Sequence, residues 1–260
     1  MSLCPNFLYA GPDIPWMNPE CIGINTLPPR THLHGFTNEV EAINAKPLDS
    51  HWHLNLDGNW KFRLYQKPAD LDEGCIKPDG KDSEWDSIKV PGNWTMQGYD
   101  SPHYTNVQMP FAHQPPKVPE ENPTGVYRSC FTLPKDWKER RTVIHFGGVE
   151  SAFFVFCNGN KVGFSKDSRT PVEFNLTPWI VSGTNHLTVV VIRWSDGSFL
   201  EDQDHWWMAG PHRSIYLRST AMTYLEDLFS LGELNQNLDE GSLEVDARVG
   251  FTGPVEAGWK

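Results

Sequence analysis

The chain has 260 residues, of which 38% are hydrophobic and 21% charged, so it has the apolar content of a folded protein and excludes a disordered one. Its formal net charge is −11 and no long basic run occurs, which argues against a nucleic-acid partner and against docking on an anionic membrane. The length allows one large all-β domain, or one domain and part of a second.

Taken in order, the N-terminus carries no basic segment followed by an apolar one, and no apolar run reaches the length of a membrane span. Residues 1–50 have little periodicity, and Pro12, Pro15, Pro19, Pro28 and Pro29 break any helix there. They predict an extended arm wrapping the domain, with Trp16 as an anchor and a helical turn or two over residues 37–45. The first strand is expected at 60–65, after the turn signal Asn55-Leu-Asp-Gly-Asn59. Residues 67–87 are polar and turn-rich. Residues 88–123 hold seven prolines among Trp94, Tyr99, Tyr104 and Phe111. So aromatic a segment reads as an ordered loop lying over a surface, the length at which loops carry function.

From residue 126 the strand signals become regular, at 127–133, 142–146, 152–157, 161–165, 172–176, 187–194 and 214–218. Asn158-Gly159 is a two-residue hairpin signal. A helical turn is expected at 178–181 and a further turn at 182–185. Many short strands at regular spacing predict an all-β sandwich or jelly roll. Two more strands, 224–230 and 242–251, follow a change of texture near residue 220 and read as the opening of a second sandwich. About 40 residues remain there, where an immunoglobulin-like sandwich needs ~100, so the chain is expected to stop inside its second domain.

The five cysteines, Cys4, Cys21, Cys75, Cys130 and Cys157, are odd in number, widely spaced and without a C-x-x-C pair. That pattern argues against a disulfide framework or a structural zinc and points to reduced thiols, hence a cytoplasmic location. His32 with His34 and His51 with His53 lack a third ligand at useful spacing.

The stretch 193–210 reads Arg-Trp-Ser-Asp-Gly-Ser-Phe-Leu-Glu-Asp-Gln-Asp-His-Trp-Trp-Met-Ala-Gly. Asp196, Glu201, Asp202 and Asp204 stand there beside Trp194, Phe199, Trp206 and Trp207. Carboxylates accept from sugar hydroxyls and flat rings cover the apolar face of a pyranose, so the stretch suits a carbohydrate. A solvated acidic loop over buried indoles fits the same residues. Trp60, Trp85, Trp137 and Trp194 are expected in the core, and core packing is also the favoured reading for Trp206 and Trp207.

Several segments together resemble the N-terminal part of a β-galactosidase of glycoside hydrolase family 2. They are Trp16-Met-Asn-Pro-Glu20, Leu56-Asp-Gly-Asn-Trp-Lys-Phe62, Val90-Pro-Gly-Asn-Trp-Thr-Met-Gln-Gly-Tyr99, Tyr104-Thr-Asn106, Glu121-Asn-Pro-Thr-Gly-Val-Tyr127, Gly148-Val-Glu-Ser-Ala152, residues 163–174, and 193–204. The order is kept over nearly the whole chain; Trp206, Trp207 and Pro211 depart from the family pattern. The resemblance implies a galactose-binding-domain-like jelly roll over 51–220, after the arm at 1–50, and the first strands of an immunoglobulin-like sandwich over 221–260. It implies β-D-galactosides such as lactose as substrates and a homo-oligomer.

Retaining hydrolysis needs two carboxylates about 5–5.5 Å apart. The resemblance places that glutamate pair, and any Mg²⁺, in a TIM barrel beyond this chain. No catalytic residue is therefore expected within it: Glu120 and Glu121 are adjacent on a Pro-rich loop, and nothing marks one of the 201–204 acids as a proton donor.

Two residues carry over from the family. Asp204 matches an aspartate that contacts galactose hydroxyls and ligates Na⁺, and Asn93 an asparagine that hydrogen-bonds the sugar. On the residues alone, Asp204 would form a salt bridge to Arg193 or Arg213, and Asn93 would cap its own turn. Two other functions fit the composition: a stand-alone carbohydrate-binding module, or a structural piece whose arm serves oligomerisation.

Overall fold

A computed structural model describes residues 4–9, 13–105, 108–201 and 203–253. Asp202 and Asn106, both read in the motifs above, lie outside them, as do residues 254–260.

The strands in chain order are β1 (Gly23–Ile24), β2 (His53–Asn55), β3 (Gly58–Tyr65), β4 (Asp86–Val90), β5 (Thr124–Thr132), β6 (Arg141–Phe146), β7 (Val149–Glu150), β8 (Ala152–Cys157) and β9 (Asn160–Lys166). They continue with β10 (Val172–Asn175), β11 (Thr184–Ile192), β12 (Gly210–Pro211), β13 (Ile215–Thr220), β14 (Thr223–Leu234) and β15 (Gly241–Phe251). Among the described residues one short α-helix, α1 (Glu39–Asn44), sits in the arm, where Asn38 caps it by accepting from Glu41 N at 2.9 Å. A seven-stranded sheet, ordered β1-β9-β8-β11-β5-β3-β4, faces a four-stranded sheet, β10-β6-β13-β2. Every described pairing is antiparallel. The result is the expected β-sandwich of jelly-roll type, with no closed barrel among the described residues.

The centre of the large sheet is apolar on both faces. In β8, Phe153, Val155 and Cys157 join the core between the sheets, whereas Ala152, Phe154 and Phe156 join a second core on the outer face. In β11, Leu187, Val189 and Val191 point one way and Val190 and Ile192 the other. Burial on two sides explains why these strands read as continuous apolar runs rather than alternating ones. The outer face is covered by the arm and by the long loops: Trp16 meets Phe154 edge-on at 6.1 Å and Phe7 meets Phe156 at 5.8 Å. Trp16 is thus the anchor that the sequence suggested, 3% exposed.

Charge ties the arm down as well. Lys166, on β9, donates to both oxygens of Asp196 at 2.7 Å and to Asn18 O at 2.8 Å. Further along, Arg30 grips Glu173 at 2.9–3.1 Å, and Arg218 and His145 reach the same carboxylate. Asn158 and Gly159 both take positive φ (51° and 80°) and close the predicted two-residue hairpin between β8 and β9. Trp60, Trp85, Trp137 and Trp194 are all buried, as expected.

Five strands escape the sequence reading: the two-residue β1, β7 and β12, which are too short to show a pattern, and β2 and β4. β4 falls where a loop was expected, because only Ile88 and Val90 alternate inward on this edge strand before Pro91. β2 overlaps the predicted turn at 55–59, being only three residues long. β14 and β15 form a separate two-stranded sheet, joined through residues 235–240.

Candidate carbohydrate-binding wall

At the end of β11 the chain leaves the sheet and builds one edge of the sandwich. Asn122 clasps that exit: its amide donates to Trp194 O at 2.8 Å and its carbonyl accepts from Trp194 N at 2.9 Å. Ser195 and Ser198 then form a reciprocal capping box that starts the short 3₁₀ turn Asp196–Phe199.

The returning segment, 207–211, lies against residues 92–105 of the Pro-rich loop. Trp94 N donates to Ala209 O at 2.9 Å and Gly92 N to Pro211 O at 2.7 Å. His103 and Trp207 exchange backbone bonds of 3.3 and 2.7 Å. Trp207 Nε1 donates to Thr105 Oγ1 at 3.1 Å. Gly210 is required here, since it has φ 110° and a Cβ would come within 2.6 Å of Tyr127 Oη. Arg193, 1% exposed, locks the two segments together. Its guanidinium pairs with Asp100 and donates to Ser101 O at 2.8 Å and Trp207 O at 3.4 Å, with His103 Nδ1 at 2.9 Å. The long loop is thus ordered by a buried cation.

Asn93 sits on the first of these segments, and Asp204 three residues before the second. Asn93 is half-buried, makes no side-chain cap and leaves its Oδ1 buried without a hydrogen-bond partner among the described residues. The self-capping alternative is therefore not what its side chain does. A buried carbonyl oxygen without a donor is costly, about 1–3 kcal/mol, and is an acceptor awaiting one.

Asp204 is exposed, and Tyr104 Oη donates to its Oδ1 at 2.6 Å. That bond and the carboxylate charge raise the phenol's pKa. Neither arginine considered for a salt bridge takes Asp204: Arg193 is committed to Asp100, and Arg213 donates to Arg169 O and Gly147 O.

The other acids of the stretch hold the scaffold. Asp196 is neutralised by Lys166. Glu201 accepts from Ser168 N at 2.7 Å and Ser168 Oγ at 2.6 Å, and burial pushes its carboxyl up despite those bonds. Glu150, 3% exposed, accepts from Met208 N and from Arg169 Nη1, both at 3.1 Å. Arg169 continues to His205 Nε2 at 3.1 Å. This chain, Glu150–Arg169–His205, braces the loop bearing Asp204 from β7, and sequence reasoning missed it. A charged residue inside the apolar run 149–157 was the available signal, because a buried carboxylate must find partners.

Of the paired tryptophans, Trp207 packs in the core at 3% exposure while Trp206 stands out at 54%, so the core reading holds for one and fails for the other. Among the described residues no group of three or more His, Cys, Asp or Glu side chains gathers as a metal site. What Asp204 and Tyr104 offer is a pair of oxygens, the donor type a hard monovalent cation takes. No helix among the described residues is long and apolar enough to cross a membrane.

Comparison with known proteins bears on the same region. Residues 54–221 match the family model described as "Glycosyl hydrolases family 2, sugar binding domain". A β-galactosidase of Psychromonas ingrahamii is 46% identical over 230 residues, which is 88% of this chain and 22% of that protein. One from Vibrio cholerae is 45% identical over 235 residues, 90% of this chain and 23% of that protein. The chain thus spans under a quarter of the length of these curated relatives.

Among solved structures, a β-glycosidase from Bacteroides vulgatus superposes with a TM-score of 0.59 at 23% identity, covering 77% of this chain and 24% of that one. A β-glucuronidase of Bacteroides uniformis gives 0.58 at 20%, covering 74% and 21%. These two speak for the fold alone. On the match over its sandwich and the likeness over most of its length, the chain belongs to glycoside hydrolase family 2, whose sugar-binding domain it carries.

Proposed function

We propose that this chain forms one wall of the galactose pocket of a retaining β-galactosidase acting on terminal β-D-galactosides such as lactose. The observation that carries the reading is the buried, unpartnered Oδ1 of Asn93 on the segment laid against the one that leads to Asp204. A sugar hydroxyl supplies the missing donor to Asn93, and the Asp204 carboxylate accepts a second hydroxyl. The β-galactosidase names of relatives at 45–46% identity support the substrate class.

Asp204 also serves as a ligand to Na⁺, with the Tyr104 hydroxyl oxygen beside it; a bound cation lowers the cost of bringing a carboxylate and a sugar together away from water. The catalytic glutamate pair, and any Mg²⁺, belong to a barrel outside this chain. Within the described wall, Asp196, Glu150 and Glu201 are bound to structural partners, in keeping with a binding rather than a catalytic role.

Residues 1–50 act as an arm, 51–220 as the sugar-binding domain, and 221–260 as the first strands of an immunoglobulin-like sandwich. Support for the last comes from the hairpin β14–β15, one face of which carries Leu225, Leu228, Val245, Leu243, Leu234 and Val249. The protein works in the cytoplasm as a homo-oligomer, a reading that rests on its thiol pattern and its family.

The test is Asp204→Asn in the full-length gene product. KM for lactose should rise at least tenfold and the response of activity to sodium should disappear; unchanged KM and an unchanged sodium response would remove Asp204 from the role.

A further inference from the structure

Beyond residue 29 the arm crosses the outer face of the four-stranded sheet. In β6 and β13, Ile144, Phe146, Ile215 and Leu217 join the core, so the alternate residues Arg141, His145, Tyr216, Arg218 and Thr220 face outward. Arg30 grips Glu173 there, and His32 meets His145 with ring centroids 5.0 Å apart. Thr31 donates through N to Asp227 Oδ1 at 2.9 Å and through Oγ1 to Leu228 O at 3.0 Å. Ser50 Oγ donates to Gly35 O, joining the two ends of the segment 35–50.

Where residues 33–35 pass β2 and β13 they leave a cavity of about 20 Å³, lined in part by His34, Gly35, Ser50, His53, Arg218 and Thr220. That is room for one occupant the size of a water molecule or a chloride ion. His53 Nε2 and Thr220 Oγ1 are both buried without a hydrogen-bond partner among the described residues. Polar atoms left that way are costly. The arm and strands of this same chain shut them off from solvent, so a partner has to be small enough to sit in the cavity.

Charge decides what kind of partner fits. Arg218 spends Nε and Nη2 on Glu173, the carboxylate that Arg30 and His145 also use, and its Nη1 makes no hydrogen bond among the described residues. Arg141, opposite Thr220 in the β6–β13 register, is 4% exposed and leaves Nη1 unpartnered as well. It lies within electrostatic reach of both Arg30 and Arg218 and of the one glutamate they share. Burial lowers the pKa of His34, and His32, His53, Arg218 and Arg30 push the same way. Asp57 and Asp49 act on His53, but Asp57 Oδ1 is already taken by Ile215 N at 2.8 Å. A cavity that offers N–H and O–H donors amid surplus positive charge holds an anion and repels a metal ion.

We propose that the cavity between arm residues 33–35 and strands β2 and β13 binds a small monovalent anion, chloride in particular, and that the bound anion fastens the arm to the sandwich. His53 and Thr220 donate to it, and Arg218 supplies the charge. The site is remote in sequence from the Asn93 and Asp204 segments and needs no sugar.

The experiment uses the full-length gene product freed of chloride, with sodium held constant by gluconate, an anion too large for the cavity. Replacing gluconate by chloride should raise the unfolding midpoint saturably, by about 2 °C or more. Thr220→Val, which keeps the shape and removes a donor, and His53→Phe, which keeps the ring that packs on Tyr216, should fold and lose most of that rise. Crystals of the native protein grown without chloride and soaked in bromide should show an anomalous peak in the cavity.

Equal midpoints in chloride and gluconate would overturn the proposal and leave water as the occupant. A rise that persists undiminished in both variants would place the chloride effect elsewhere and overturn it too. Bromide in the crystal with no saturable effect in solution would mark an adventitious ion only. If neither variant folds, the native protein still decides, since absence of bromide from the cavity refutes the site.

Discussion

Asn93 leaves a buried acceptor unpartnered among the described residues while Glu150 has both oxygens bonded, and substituting them should give opposite signatures. Asn93→Ala removes an acceptor that has no partner among the described residues, so it should leave stability within about 0.5 kcal/mol, or raise it, while weakening galactoside binding. Chemical denaturation alongside KM measures the two; a large loss of stability with KM unchanged would make Asn93 a structural residue. Glu150 predicts the reverse order of effects. Glu150→Gln weakens its bond to Arg169 and leaves the Asp204 loop less firmly braced, so stability and KM should worsen together.

The titrating groups share one direction. Burial pushes the His212 imidazole down to about 4, and Arg169 and Arg213 push the same way. A neutral imidazole in the fold and a chargeable one in the unfolded chain mean that its contribution is whole above the ordinary 6.5 and is lost as pH falls from there toward 4. At Glu173, burial alone would raise the carboxyl, but His145, Arg218 and Arg30 together hold it well below its ordinary 4.5. Its contribution is present above that ordinary value and is lost as pH falls below it. Stability should therefore decline steadily on acidification below about pH 6.5, as read by urea midpoints at a series of pH values. His212→Gln should flatten the upper part of that decline; a midpoint independent of pH between 7 and 4 would contradict both assignments.

Among elements, the join between arm and sandwich is the one most exposed to a single change. Lys166 on β9 is the cation for buried Asp196 and also holds two arm carbonyls, those of Pro15 and Asn18. Lys166→Met strands a buried carboxylate, and such losses run to about 3–5 kcal/mol. Lys166→Met with Asp196→Asn should recover part of it. Limited proteolysis in the first 25 residues should follow the same order, and equal protection in both variants would show that the aromatic contacts of Trp16 alone hold the arm.

The arm and the central strands also show how legibility depends on burial. Trp16 could be picked out as an anchor because a lone indole in a Pro-broken stretch has no periodic element of its own to pack in. The doubly buried strands β8 and β11 were equally plain, since near-continuous apolar runs of six residues, 152–157 and 187–192, bounded by turns have few alternatives. β4 was not legible: on an edge strand only every second residue is buried, and Pro91 ends the pattern after two.

For the whole molecule, the consequence lies in the hairpin β14–β15. Its strands pair Leu225 with Val249, Leu228 with Ala247 and Ser230 with Val245, so these side chains share one face. Leu225, Leu234, Leu243, Val245 and Val249 on that face are 42–70% exposed. A two-stranded hairpin is marginal without a covering layer. The 260-residue chain should therefore self-associate and bind an apolar dye, and Leu243→Lys with Val245→Lys should suppress both; a monomeric, dye-silent wild-type chain in sedimentation would refute this.

Sequence alone carried the sandwich, its approximate strands, the hairpin at Asn158-Gly159 and, through the ordered motifs, the family. Those depend on local patterns of burial and turn geometry, which a chain writes along its own length. The wall was another matter. Asn93 and Asp204 are over a hundred residues apart, and only the folded chain lays 92–105 against 207–211. Folding also gave Arg193 to Asp100 and Asp204 to Tyr104, because which of many acids a buried cation meets is settled by distance in space. The same holds for Trp206 and Trp207: successive residues face opposite ways on extended backbone, and tertiary packing alone decided which ring filled the core and which stayed exposed.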